Sequence, residues 1–252
     1  MLPLEKRRVV LTGAAGGIGS LVAAQLADLG AHVTGVDRVD CVRCHQTILG
    51  DLATQEGLSA LAEALSERDV DILINSAGIQ YFGLAERQSQ DSMWMSYAVN
   101  LIAPVALTAA VLPQMKARKD GHIVNIGSVL GSINYPYFAA YSSSKAGLRG
   151  YSEGLRRELH GLGIAVTHFS PRAVNTAFNN DAVNRFLTLA GMTADDPAFV
   201  AERIVGAITR RRANDSIGWK ERLFTAINAL MPRVIDAGLA GQTVKARGLF
   251  PS

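Results

Sequence analysis

Along the chain, short β-branched apolar runs alternate with stretches in which apolar residues return at helical spacing. The first run, Val9-Val10-Leu11, stops at the glycine-rich turn Thr12-Gly13-Ala14-Ala15-Gly16-Gly17-Ile18-Gly19. Beyond it, Ile18, Leu21, Val22, Leu26 and Leu29 share one helical face. The same alternation predicts strands at His32–Val36, ending on Asp37, and at Thr47–Gly50, then a helix carrying Leu58, Leu61, Ala62 and Leu65. Asp71–Ile74 reads as a buried strand running into Asn75-Ser76-Ala77-Gly78. A long helix follows from about Gln90 to Arg118, capped by Ser89 or Asp91. Its middle, Val99 to Leu112, is apolar nearly all round, the pattern of a helix covered on more than one side, as at a subunit interface. A strand at Gly121–Ser128, a helix at Ala139–His160, a strand at Ile164–Phe169 and a seventh within Ser216–Trp219 complete the series. Only Val39–Gln46 lacks a helical period, so that crossover reads as a loop or single turn. Such alternation predicts one doubly wound α/β domain with a parallel sheet over residues 1–252.

Composition narrows the classes. The 252 residues are 48% hydrophobic, enough for one large core. A net charge of +3, with both signs spread along the chain, makes no case for nucleic acid. Two cysteines build no disulfide framework. Lys6-Arg7-Arg8 before a run of small apolar residues, with Ala23-Ala24-Gln25 as a cleavage region, resembles a secretory leader. Cys41-Val42-Arg43-Cys44-His45 has haem c attachment spacing. Together these outline an exported c-type cytochrome. Against that reading, Thr12 and the glycines through Gly19 are poor material for a membrane-inserting helix. They fit a strand and phosphate loop instead. The longest apolar candidate span, Leu101–Leu112, falls short of a bilayer and contains Pro104 and Thr108. The expectation is a cytoplasmic protein.

The glycines at 13, 17 and 19 let backbone approach a ligand, and the following helix starts with free N–H groups and a positive dipole end. A pyrophosphate fits there without a basic side chain. Asp37, at the tip of the second strand, is placed to accept hydrogen bonds from an adenosine ribose and to repel a 2′-phosphate. NAD is therefore favoured over NADP, with Arg38 as the opposing charge. Asp51 and Leu52 end the third strand, where adenine would lie. Tyr141 and Lys145, four apart, share one helical face. A nearby ammonium stabilises a phenolate, bringing tyrosine toward useful acid/base strength. Ser128, at a strand terminus, is placed to hold a substrate oxygen.

Taken jointly, Thr12-Gly13-x-x-x-Gly17-Ile18-Gly19, Asn75-x-Ala77-Gly78, Asn100, Ser128 and Tyr141-x-x-x-Lys145 resemble the short-chain dehydrogenase/reductase family, in its compact branch, from Arg8 to about Thr176. The resemblance implies a Rossmann-type fold, Tyr141 as general acid/base, and Lys145 lowering its pKa and holding the nicotinamide ribose. It implies Ser128 orienting the carbonyl or alcohol, and Asn100 anchoring a water in a proton relay. The implied cofactor contacts are Gly13, Ala15, Gly17, Ile18, Gly19, Asp37, Asp51, Leu52, Asn75, Ala77, Gly78, Tyr141, Lys145, Pro171, Val174 and Thr176, with no metal. The implied activity is NAD(H)-dependent interconversion of a secondary alcohol and a ketone by a homodimer or homotetramer. A non-catalytic dinucleotide sensor or scaffold is the alternative, against which the complete proton-transfer set argues.

Three departures stand out. Arg172 replaces the glycine usual after Pro171, leaving open contact with a substrate carboxylate or thioester-linked group. The second crossover is short, and its cysteine pair reads as loop filler. The chain end carries apolar residues at helical spacing from Leu223 through Leu239, flanked by Lys220, Arg222 and Arg233. This tail, about 220–252, reads as a helix packed on its own domain, a substrate cover, a subunit contact or a membrane-surface helix. Phe178, Phe186, Leu187, Leu189 and Met192, in a substrate loop at about 177–195, favour a hydrophobic alcohol or ketone over a sugar.

Overall fold

The computed structural model describes residues 2–250. Seven parallel strands form one sheet: β1 (Arg8–Thr12), β2 (His32–Asp37), β3 (Gln46–Leu49), β4 (Ile72–Asn75), β5 (Gly121–Ile126), β6 (Ile164–Ser170) and β7 (Asn214–Ser216). Their order is β3-β2-β1-β4-β5-β6-β7. Side-chain alternation sorts the strands' apolar residues onto two faces. Val9, Leu11, Ile72, Ile74, Val124 and Phe169 pack against α1 (Gly19–Asp28) and the eighth helix of the chain, α8 (Pro197–Thr209). Val10, Leu73, Ile123 and Val166 pack on the other face. They meet Leu61 and Leu65 of α2 (Gln55–Ser66), Leu107 and Met115 of α4 (Ala103–Arg118) and Leu155 of α6 (Ala139–Glu158). Both faces being covered explains why the strands read as continuous apolar runs.

The long helix is continuous but not uniform. α3 (Gln90–Tyr97) passes into α4 through a π-turn at Ala98–Ile102, which contains Asn100. By length and composition Gln90–Arg118 is apolar enough to cross a membrane, yet half of its apolar window is buried inside this fold.

Two elements differ from the sequence pattern. The seventh strand is Asn214–Ser216 rather than Ser216–Trp219, and Trp219 starts a helix. Its Asn-Asp-Ser sequence is polar because buried Asp215 accepts from Arg212 (3.0 Å) and Arg222 (3.1 Å), a pairing that hydrophobic periodicity does not register. The tail is two helices, α9 (Trp219–Leu230) and α10 (Pro232–Arg247), because Pro232 has no N–H with which to continue the first. Its last two positions, 251 and 252, lie outside the described residues. The remaining helices are α5 (Leu130–Ile133) and α7 (Asp181–Leu189).

The expected loop after β2 is a turn closed by Cys44 N–H donating to Cys41 O at 2.9 Å. Cys41 is buried, with its thiol 3.1 Å from Ala14 O and 3.0 Å from the Cys44 sulfur. His45 turns its Nδ1 to the Val33 N–H (3.1 Å) and stacks on His32. The supposed leader is β1, the glycine loop and α1.

Two buried histidines make stability pH-dependent. The Thr167 hydroxyl donates to Arg212 O (2.6 Å), so His122 Nε2, 2.8 Å away, donates to Thr167 and the ring is neutral. Burial, helped by Arg211, pushes His122 down to about 3. Burial, helped by Lys145 and Arg149, takes His168 to about 4. Unfolded histidines titrate near 6.5, so the unfolded chain binds more protons from about pH 6.5 down to 4. Stability, complete above that window, is expected to fall on acidification through it. Urea midpoints measured across the window check this; a flat profile would contradict it.

Candidate active site

Each strand of the sheet's centre ends, at its carboxyl edge, in a segment that bounds one cleft, centred where the strand order reverses between β1 and β4. The cleft and the space that continues it under the tail together form one cavity of about 1090 Å³.

The glycine loop forms one wall. Gly13 has φ +69°, and a Cβ there would lie 2.9 Å from Ala77 N. Ala77 N and Ser76 N donate to Thr12 Oγ1 at 3.1 and 3.0 Å, which brings the ends of β1 and β4 together. A Cβ on Gly19 would sit 2.0 Å from Gly13 O, and one on Gly17 would strike Thr176. No side chain caps the start of α1 and its first turn has no acid, so the amides there are available to an anion. Asp37 Oδ2 accepts from Ala15 N (3.0 Å) and Oδ1 from Arg38 N (2.7 Å), which holds the carboxylate at the cleft. Asp51 Oδ1 accepts from Ala53 N at 2.9 Å, with Leu52 beside it. Gly13, Ala15, Gly17, Ile18, Gly19, Ala77, Gly78, Pro171, Val174 and Thr176 also line the cleft. An uncapped helix start, a fixed carboxylate and an ammonium along one cleft fit a dinucleotide.

At its inner end, Ser128, Tyr141 and Lys145 converge. All three are buried and line the same space, and Ser128 Oγ accepts from Leu130 N at 3.1 Å. Lys145 Nζ donates to Ile126 O at 3.0 Å and lies 6.0 Å from the Tyr141 ring centroid. Gly78 packs against the same group: a Cβ there would lie 3.3 Å from Asn100 Oδ1 and in ordinary contact with Nζ. Burial pushes the Tyr141 phenol up to about 12, against the opposing influence of Ser128. Burial brings the Lys145 ammonium down to about 8. The expected lowering of Tyr141 by Lys145 is not seen, because the ammonium is turned to Ile126 O. Desolvation of the phenolate outweighs an ammonium turned toward a carbonyl.

Two expected contacts are elsewhere. Asn75 does not line the cleft: its amide donates to Asn125 Oδ1 (2.8 Å), within a buried chain continuing to Ser152. Asn100 is fully buried, accepting from Ile79 N (3.0 Å) and donating to Ile79 O (2.8 Å) and Ser144 Oγ (3.0 Å). Both amide hydrogens are used, so the side chain anchors the β4 exit loop.

Arg172 also differs from expectation. Its Nε donates to Asp195 Oδ2 (3.0 Å), its Nη2 to Asp195 Oδ1, and its Nη1 to Glu221 Oε1 (3.3 Å). Two carboxylates from the protein engage the guanidinium, which also lines the cavity. Phe178, Phe186, Leu187 and Met192 line the cavity as read from sequence, whereas Leu189 faces out. Sequence reasoning missed Tyr135 and Phe138, which line the same space just before Tyr141. It left open whether the tail covers the cavity; Phe224, Ile227, Ile235 and Leu239 do line it.

The short chain dehydrogenase family model matches residues 7–185. Dehydrogenase/reductase SDR family member 7B of Danio rerio is 33% identical over 83% of this chain and 76% of its own. A 3-ketodihydrosphingosine reductase of Bacteroides thetaiotaomicron is 31% identical over 71% of this chain and 68% of its own. Among solved structures, a Sphingobium yanoikuyae short-chain dehydrogenase in complex with NADPH superposes with TM-score 0.76 at 27% identity, covering 90% and 95% of the two chains. A 4-hydroxyisoleucine dehydrogenase complexed with NADH gives TM-score 0.74 at 26% identity, covering 85% and 98%. The chain belongs to the short-chain dehydrogenase/reductase family of oxidoreductases, which excludes the cytochrome reading.

Replacing Asn100 with Ala removes two hydrogen bonds to the exit loop and one to Ser144 of α6. Asn100→Ala is expected to destabilise the fold by about 2–3 kcal/mol in urea unfolding. An unchanged midpoint would show that the anchor is dispensable.

Proposed function

We propose that the protein is an NAD(H)-dependent oxidoreductase that interconverts a hydrophobic secondary alcohol and its ketone. The observation that carries this reading is the buried Ser128–Tyr141–Lys145 group facing an aromatic and aliphatic cavity. Bound in the cleft, nicotinamide dinucleotide supplies the hydride donor or acceptor and, when oxidised, a positive charge. Tyr141 and Ser128 hold the substrate oxygen. In reduction the Tyr141 phenol gives its proton to the carbonyl oxygen; in oxidation it takes the alcohol proton. The Lys145 ammonium stabilises the phenolate formed in that step. The glycine loop would hold the pyrophosphate, and Asp37 the adenosine ribose hydroxyls.

The preference for NAD rests on Asp37, because the solved relatives include an NADPH and an NADH complex. The substrate class rests on the cavity lining. The relative that reduces a ketodihydrosphingosine is consistent with an apolar substrate. Exposed Met93, Trp94 and Ile102 along α3 and the π-turn suit contact between copies in a dimer or tetramer.

Tyr141→Phe is expected to bind NADH normally and lose turnover by roughly 10²–10⁴-fold, measured at saturating ketone. Full activity would remove Tyr141 from the mechanism. NADH should bind more tightly than NADPH in fluorescence titration, and Asp37→Ala should narrow the difference. Tighter NADPH binding by the unmodified protein would overturn the cofactor reading. A screen of NAD-linked oxidation from polyols to long-chain and polycyclic alcohols tests the substrate class, and activity confined to polyols would refute it.

A further inference from the structure

α9 presents large apolar residues to solvent as well as to the protein. At 100° per residue, Trp219, Leu223, Ala226 and Leu230 fall within about 60° of one another on one face. That face points to solvent: Trp219 is 71% exposed, Leu223 53% and Leu230 83%. Glu221 points the other way, toward the protein, where Arg172 holds it at 3.3 Å. Asn228 adds a second inward anchor, donating to Ser132 O at 2.8 Å. A charged residue is therefore drawn in beside Phe224 and Ile227, while Trp219, Leu223 and Leu230 form an outer apolar face that the protein's own core does not use. Met231 and Val234, both exposed, continue the apolar surface around the turn into α10.

The two tail helices carry an excess of positive charge. From Trp219 to Phe250 the chain has Lys220, Arg222, Arg233, Lys245 and Arg247 against Glu221 and Asp236, a surplus of three. That equals the formal +3 of the whole protein. Arg222 is engaged by Asp215, and Lys220 lies 5.9 Å from the Trp219 ring centroid. Arg233, Lys245 and Arg247 are exposed and pair with no acid among the described residues. The inner sides of the same two helices, through Phe224, Ile227, Ile235 and Leu239, line the cavity.

We propose that the α9–α10 face is a docking surface for an anionic lipid bilayer, and that the cavity beneath it receives an apolar substrate from that bilayer. Trp219, Leu223 and Leu230 enter the headgroup–acyl boundary while the cations of the tail meet lipid phosphates. Arg172, where relatives of this family usually have glycine, sets the helix orientation through Glu221. The substrate clause rests on the proposed function; the docking does not, and its test needs no turnover.

The test uses full-length Trp94→Phe protein, which leaves Trp219 as the only tryptophan. Sedimentation and tryptophan emission are followed with vesicles of phosphatidylcholine alone and of phosphatidylcholine mixed with phosphatidylglycerol. Binding to the anionic vesicles with a blue shift of Trp219, weakened at high salt, is expected. Leu223→Ser with Leu230→Ser, and separately Arg233→Glu with Lys245→Glu, should each weaken binding by about tenfold or more while NADH affinity is unchanged. No binding to anionic vesicles at low salt would overturn the proposal, as would binding that survives both double variants. A change in oligomeric state in the leucine variant would also overturn it, assigning the face to contact between copies of the chain.

Discussion

Placing a phenol and an ammonium together out of water is the constraint on which the rest of this structure depends. Each charged form is disfavoured by burial, and the two groups are pushed in opposite directions, Tyr141 up to about 12 and Lys145 down to about 8. The site tolerates them because every neighbour is fixed. Ile126 O, at the end of β5, receives the ammonium, and Ser128, two residues on, meets the phenol. Ile126 ends β5 and Ser128 follows it by two residues, while Tyr141 and Lys145 come from one helix. The spacing of two elements in the sheet therefore sets the geometry of the proton-transfer group.

Neighbouring segments hold that spacing. Thr12 ties the end of β1 to the start of the β4 exit loop, and Asn100 ties the far side of that loop to α6 through Ser144. The π-turn accommodates Asn100 by setting its side chain inward at mid-helix, where a regular α-helix would continue unchanged. Arg172 performs the same service on the outer side, joining the loop after β6, Asp195 and α9. The cofactor cleft and the tail that roofs the cavity are thus coupled through one guanidinium.

Much of this was legible in the sequence where backbone chemistry is local. The glycine loop is readable because Gly13 and Gly19 sit where any Cβ would strike backbone. The parallel strands are readable because both faces are buried. Tyr141 and Lys145 announce themselves by helical spacing. Side-chain partners across long sequence separations were not legible. Nothing near Asn100 shows that Ile79 takes its hydrogen bonds, and nothing near Arg172 shows that Asp195 and Glu221 share it. β7 was displaced in the reading because its stability comes from arginines around Asp215 rather than from apolar residues. The direction of the Tyr141 shift was missed for a related reason: sequence places a cation nearby, whereas only packing reveals how completely water is excluded.

The role of Tyr141 is tested most directly by its own titration. Ultraviolet difference spectra at the tyrosinate band, wild type minus Tyr141→Phe, isolate this residue from the other five tyrosines. In the free protein its midpoint is expected near 12. With NAD⁺ bound, the midpoint should fall by roughly two units or more, because a positive charge is then added beside the phenolate. A midpoint that is the same with and without NAD⁺ would contradict the assignment of Tyr141 as the group that gives and takes the substrate proton.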